Sequence, residues 1–364
     1  MKIKFTNLYK LAPNKIKIFN SIKKNIQKNK FIGGKILDDF SKIFSDLVKT
    51  KYVIPVANGT DALEIAIKSL ALPKDSEVIV PVNTWISTAE SVFTNSLKIV
   101  FCDINLNDYT ICVNDLSKKI TKKTKCIIPV HLYGNPANML KIRKIAKKNK
   151  IKIIEDCAQA HGSKINNKHV GTFGDIGTFS FFPGKNIGAF GDAGCIITDN
   201  KKIYDRCKRI SNHGALIKYD HKFPGRNSRM DALNATVLIE KIKKYNMVLK
   251  KRNLLASYYD KKFKNNKNIE IFKLKKNYVY SYHQYVIRLR PKYRNNLIKF
   301  LKENNIDTMI HYPYMLNELN FFPKGKNLIN SKNLGKKILS LPISEEHTEN
   351  EINYVSKKII QFYN

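Results

Sequence analysis

The segment Phe179-Ser180-Phe181-Phe182-Pro183-Gly184-Lys185-Asn186-Ile187-Gly188-Ala189-Phe190-Gly191-Asp192 sets one lysine apart from the others in this chain. Most lysines here stand among Asn and other Lys, where an ammonium stays solvated. Lys185 instead follows a strand-like apolar run and lies among Pro183, Gly184, Gly188 and Gly191. Glycine lets backbone approach a ligand closely, and a lysine held near such a surface becomes nucleophilic on partial desolvation. A solvated lysine on a Gly-rich turn is the plain alternative. Upstream, Ile151-Lys152-Ile153-Ile154-Glu155-Asp156 reads as a buried strand ending in a carboxylate, followed by Cys157-Ala158-Gln159-Ala160-His161-Gly162. A strand-end aspartate and a later Schiff-base lysine are two parts that a pyridoxal phosphate (PLP) site needs.

Outward from this pair, the chain from about residue 50 alternates between short apolar runs and helical segments. Strands are predicted at Tyr52 to Val56, Glu77 to Pro81, Lys98 to Cys102, Lys125 to Val130 and Lys152 to Glu155. Helices open at Gly59-Thr60-Asp61-Ala62-Leu63 and near Thr84, with another near Asn138 to Lys148. This βα pattern predicts an α/β fold whose mostly parallel sheet is covered on both faces. Ligands of such sheets gather at the strand C-terminal ends, where Gly59, Asp156 and the loop after Phe182 would lie. Past Met230 the pattern turns to long Lys-rich helix, about 228–265, then to a smaller α+β section. That section has a strand near Tyr282 to Arg290 and a helix near Tyr293 to Asn304. The division predicted is a large domain over 1–245, N-terminal segment included, and a smaller α+β domain over 246–364. Asn265-Asn266-Lys267-Asn268 is the polar break expected near the junction.

The chain of 364 residues is long enough to bury a large core. Its 66 basic and 29 acidic residues give a net charge of +37, which invites a nucleic-acid or membrane reading. Only nine of the 66 are Arg, the residue suited to bidentate phosphate and base contacts, and the charge is spread along the whole chain. Lys, Asn and Ile abound together, so compositional drift accounts for the charge, and no nucleic-acid partner is expected. Six cysteines without a CxxC pair or His/Cys metal spacing fit free thiols in a reducing compartment, and no metal is expected. No apolar run approaches the roughly 18 residues of a membrane span, so the expectation is a cytoplasmic protein without a membrane partner.

In order, Asn58 to Leu63, Pro81-Val82-Asn83-Thr84-Trp85-Ile86-Ser87-Thr88-Ala89, Pro129-Val130-His131-Leu132-Tyr133-Gly134, Glu155 to Gly162, Phe179 to Gly194 and Gly225-Arg226-Asn227-Ser228-Arg229-Met230-Asp231 resemble the DegT-type nucleotide-sugar aminotransferases. Asp156 and Lys185 are 29 positions apart, as that resemblance requires. The resemblance runs from about Phe5 to Pro342. It implies the aspartate-aminotransferase-like fold, PLP fold type I, and a homodimer with shared active sites. It implies Lys185 as the Schiff-base lysine and acid/base, and Asp156 as the carboxylate facing the pyridine nitrogen. Gly59, Thr60 and Ser180 would hold the cofactor phosphate, joined by Asn227 from a second subunit. Trp85 would stack on the ring, and Gln159 would stand beside the phenolic oxygen.

The loop Pro183 to Asp192 resembles the branch acting on 3-keto hexoses of dTDP or UDP. There Tyr219, His311 and Tyr312 fall at substrate positions, and Arg229 would reach across the dimer. The activity implied is transfer of an amino group from L-glutamate, leaving 2-oxoglutarate, to such a sugar for surface polysaccharide or related glycan synthesis. A 4-keto sugar and a UDP-2-acetamido-3-keto-uronate are alternative substrates. A PLP-bound regulator and a basic nucleic-acid binder are the non-enzymatic ones. PLP-dependent sugar dehydratases on this fold carry histidine where Lys185 stands. Phe182 replaces a tyrosine frequent in the 3-keto branch, Asn234 and Thr236 replace Gln and Ala, and Asn7 replaces an acidic residue.

Overall fold

The structure is a computed structural model describing residues 2–11 and 15–364. Strands β1 (Tyr52–Val56), β2 (Glu77–Pro81), β3 (Lys98–Cys102), β4 (Thr124–Ile127) and β5 (Lys152–Asp156) form from the predicted apolar runs. A hairpin of β6 (Lys164–Ile165) and β7 (Lys168–His169) precedes β8 (Ile176–Ser180) and β9 (Gly194–Thr198). The main sheet has seven strands in the order β1-β9-β8-β5-β4-β2-β3. The pairs from β3 to β8 are parallel, and β9 alone runs against both its neighbours, β8 and β1. β9 reverses because β8 returns directly through the loop carrying Lys185, without a crossover helix. Pro55, which has no N–H to give, is accommodated because β1 is an edge strand.

Helices α1 (Lys15–Gln27) and α2 (Lys35–Val48) precede the sheet. α3 (Gly59–Ser69), α4 (Ser87–Thr94), α5 (Val113–Lys119) and α6 (Met139–Lys148) link its early strands, and α7 (Lys201–Ser211) follows β9. Strand side chains alternate between two covered faces. Val78, Val80, Ile154 and Ile196 pack with Ala62, Leu63 and Cys207 of α3 and α7. Ile79 and Ile153 face Met139 and Ile142 of α6, and Ile197 faces Phe40 and Phe44 of α2. Each fully buried aliphatic or Phe side chain contributes about 1.5–3 kcal/mol relative to exposure.

The long predicted helix is α8 (Ala232–Phe263). Its first half buries Leu238, Ile242 and Tyr245 with the Phe179–Phe181 core, and its second half buries Leu255, Tyr259 and Phe263 in a separate core. The division predicted after residue 245 thus falls inside one continuous helix. The Asn265–Asn268 break follows the end of α8 and lies between Phe263 and Ile269, both in the smaller core. That core is built on β10 (Ile269–Glu270), β12 (Tyr285–Leu289) and β13 (Ile338–Leu341), with α9 (Pro291–Glu303) and α10 (Glu349–Tyr363) packed on it. Between β10 and β12, β11 (Tyr278–Val279) pairs back onto β6 of the larger part. The N-terminal segment, predicted with the large domain, sends Ile3 into the smaller core, where it bridges to Ile306.

Candidate active site

The C-terminal ends of β1, β8, β5 and β2 open on the same edge of the sheet, with β9 between the first two and β4 between the last two, and each leads to a polar group. After β1, Asn58 caps α3, its Oδ1 accepting from the Asp61 N–H at 2.8 Å. The other first-turn N–H groups of α3 have no intrahelical acceptor, which is a ready anion cradle. Gly59 packs so tightly on β8 that a Cβ there would stand 2.6 Å from Ser180 Cβ. The glycine is needed for close approach, and it puts Ser180 beside the α3 N-terminus. Thr60 Oγ1 and Ser87 Oγ are 2.7 Å apart, so the start of α4 joins the same cluster.

Asp156, the last residue of β5, is buried. Its Oδ2 accepts from Thr88 Oγ1 at 2.9 Å and its Oδ1 from the Ala158 N–H at 3.1 Å. Burial pushes its carboxyl above the usual range, while those two donors and the nearby Lys185 and His131 pull it back. Lys185 is half-buried on the β8–β9 loop, its own N–H bonded to Phe182 O at 2.8 Å. Desolvation by the surrounding protein lowers its amine from 10.5 to about 8, against the pull of Asp156. An amine that sheds its proton near neutrality is fit to attack an aldehyde and to carry a proton. An aldehyde for Lys185, a ring nitrogen for Asp156 and a phosphate for the start of α3 together describe pyridoxal phosphate, and these residues fit it.

Gln159 is buried with its amide orientation determined, Oε1 accepting from the Tyr133 N–H at 2.7 Å and Nε2 donating to the Tyr312 hydroxyl at 2.8 Å. Tyr312 in turn lies 5.7 Å from exposed Trp85, ring centre to ring centre. His311 Nδ1 is 3.0 Å from Ser340 Oγ, and burial with Lys185 nearby lowers its imidazole to about 4, keeping it neutral. The structure therefore draws together Gly59, Thr60, Trp85, Asp156, Gln159, Ser180, Lys185, His311 and Tyr312. It does not bring in Tyr219, Asn227 or Arg229. These three are exposed on the segment between α7 and α8, and none hydrogen-bonds to the cluster.

Three supports escaped sequence reading. Thr88 is four positions after Thr84, and their hydroxyls meet at 3.0 Å, a spacing that could have flagged it. Asn186, beside Lys185, reaches Ser281 and His283, nearly a hundred positions away. Glu155, just before Asp156, accepts from the Gly171, Phe173 and Gly174 N–H groups and from His131 Nε2 at 2.6–3.0 Å. Ligand-type atoms of His131, Glu155 and Cys157 lie within 4.8 Å of one another, the spacing of a metal-ligand set. His131 Nδ1 already accepts from the Ala137 N–H at 3.0 Å, however, and Glu155 has four donors, so the trio is a buried hydrogen-bond clamp.

Comparison with known proteins matches residues 14–360 to the model of the DegT/DnrJ/EryC1/StrS aminotransferase family. The dTDP-3-amino-3,6-dideoxy-alpha-D-galactopyranose transaminase of Aneurinibacillus thermoaerophilus is 35% identical, with 91% of each chain covered. A pleiotropic regulatory protein of Geobacillus stearothermophilus is also 35% identical, over 97% of this chain and 95% of its own. The UDP-N-acetyl-3-dehydro-alpha-D-glucosamine 3-aminotransferase of Acidithiobacillus ferrooxidans is 34% identical, over 90% and 91%. Streptomyces venezuelae DesV, solved with a ketimine intermediate, superposes with a TM-score of 0.95 at 28% identity over 99% of this chain and 98% of its own. NtdA of Bacillus subtilis, solved with bound PMP, gives 0.93 at 30% identity over 99% and 85%. The mostly parallel sheet with its single reversed strand is thus that of PLP fold type I, and the chain belongs to the DegT/DnrJ/EryC1/StrS aminotransferase family, with pyridoxal 5′-phosphate as its cofactor.

Proposed function

We propose that this chain is a transaminase that moves an amino group from L-glutamate to a 3-keto hexose carried on dTDP or UDP, and that it does so as a homodimer. The observation that carries the reading is Lys185, a half-buried amine lowered to about 8 and set opposite the buried carboxylate of Asp156. The names of the Aneurinibacillus and Acidithiobacillus relatives support carbon 3 as the position aminated. When bound, pyridoxal phosphate supplies a protonated ring that takes up the electron pair left as a proton leaves the amino-bearing carbon.

This chain's residues do the rest. Lys185 Nζ would hold the cofactor and, once released, would take up and return the proton of the substrate carbon. Asp156 keeps the ring nitrogen protonated by charge. Gly59, Thr60 and Ser180 would cradle the phosphate, Trp85 would stand over the ring, and Gln159 would stand beside the phenolic oxygen. Neutral His311 and the Tyr312 hydroxyl offer hydrogen bonds on the sugar side. Tyr219 and Arg229 would complete the sugar side, and Asn227 the phosphate cup, of a second subunit's site.

The test gives purified protein L-glutamate and a panel of dTDP- and UDP-linked 3-keto and 4-keto hexoses, and locates the new amine by NMR. Moving the carbonyl by one carbon displaces the reacting atom by about 1 Å or more, a shift that costs roughly 100-fold in rate. The 3-keto sugar should therefore dominate. An amine on carbon 4 would overturn the assignment of position, and absence of turnover with every sugar would favour the regulatory role suggested by the Geobacillus relative's name.

A further inference from the structure

We infer that Asn186 is a positioning residue, which holds Lys185 at its working depth by tying the β8–β9 loop to the segment Ser281–Gln284 of the C-terminal part; the inference rests on reading Lys185 as the reacting amine. Asn186 is buried, and among residues 183–188 it alone makes side-chain hydrogen bonds among the described residues. Its Nδ2 donates to Ser281 O at 2.8 Å, which determines the amide orientation. Its Oδ1 then accepts from His283 Nδ1 at 3.1 Å. Burial and the neighbouring Lys185 hold the His283 imidazole far below its ordinary range, so it is neutral and its Nδ1 carries the one proton.

The anchor segment is itself tied to the other side of the site. Ser281 Oγ donates to Gln159 O at 3.1 Å, and the Ser281 N–H bonds to Gly134 O at 3.3 Å. The Gln284 N–H bonds to Tyr133 O at 3.2 Å, and the Tyr133 N–H bonds to Gln159 Oε1. One short segment therefore carries both the neighbour of Lys185 and the supports of Gln159. Cutting the Asn186 tether would let the lysine loop move relative to Gln159 and Asp156, and would let water reach the amine. A merely structural Asn186 would instead add only the modest stability of its hydrogen bonds and leave Lys185 unaffected.

The depth of Lys185 can be read from its protonation without any turnover. The charged and titratable groups facing it are Asp156 at the end of β5, His161 in the following loop, His283 and His311. The full chain is stripped of cofactor with hydroxylamine, and Lys185 is labelled competitively with acetic anhydride across a pH series and quantified by mass spectrometry. Wild type should titrate near 8. Asn186→Ala should move the midpoint up by about one unit, so that labelling at pH 8 falls roughly fivefold. Asn186→Asp should also move it up, because a new carboxylate favours the ammonium. His283→Ala should give a smaller rise, and His283→Asn, which restores a donor, should reverse it.

Circular dichroism checks that each variant is folded; if Asn186→Ala is not, the two His283 variants decide, since Asn186→Asp raises the midpoint through its charge alone. A depressed wild-type midpoint left unchanged in the folded variants would overturn the positioning role alone. A wild-type Lys185 titrating like a surface lysine would overturn both that role and the reading of Lys185 as the reacting amine.

Discussion

At Asp156 and Lys185, burial and mutual attraction work in opposite directions. Burial disfavours both charges, raising the carboxyl and lowering the amine, while each charge stabilises the other. Thr88 and the Ala158 N–H keep Asp156 an acceptor on both oxygens. Asp156→Asn keeps the shape and the Ala158 bond but removes the charge that protonates a ring nitrogen. We expect a fall in kcat of about 100-fold or more, the scale of losing one strong electrostatic contributor. Steady-state rates with L-glutamate check this, and a loss below about threefold would leave Asp156 only its part in capping the turn after β5. Both residues could be singled out in the sequence because the chemistry proposed for them is carried by side-chain type and spacing. Thr88 was less so, since a threonine in a helix usually has no role beyond its backbone.

Among the elements, the contact of α3 with β8 sets the phosphate end of the site. Gly59→Ala would place a Cβ 2.6 Å from Ser180 Cβ and 3.2 Å from its Cα, and the backbone of β8 cannot yield as a flexible side chain would. Such overpacking costs about 1–3 kcal/mol. A thermal melt should show lower stability, and a pyridoxal phosphate titration should show affinity weakened about tenfold, which is about 1.4 kcal/mol. Unchanged affinity in the folded variant would take the phosphate away from this helix. The strands from β1 to β5 and the helices between them follow their hydrophobic pattern closely. β9 does not announce itself, because a short Gly-led apolar run carries no mark of the direction in which it will pair. The Asn265–Asn268 break is silent for a similar reason: a polar stretch ends a helix inside one core as readily as between two, and here residues on both sides share a core.

On the scale of the molecule, Tyr219, Asn227 and Arg229 stand exposed and apart from the cluster they resemble parts of, which is the arrangement expected if they serve a second subunit's site. Mixing Lys185→Ala chains with Asn227→Ala chains should then form hybrid dimers in which one of the two sites keeps both residues. Activity should rise above that of either parent, read as amine formed per total protein. No rise, in a mixture shown by native mass spectrometry to contain the hybrid, would place Asn227 outside the shared site. The alternation of apolar runs and helices determined the sheet and its covered faces, and residue type and spacing singled out Asp156 and Lys185 as the proposed reacting pair, because these depend on local periodicity and side-chain chemistry. Only the tertiary structure decided how that pair is held. The tether of Asn186 to Ser281 and His283, the bond from Gln159 to Tyr312, and Ile3 in the distant core all join positions about a hundred or more residues apart. Such bonds depend on where folding brings two backbones together, and neither partner's local sequence carries that distance.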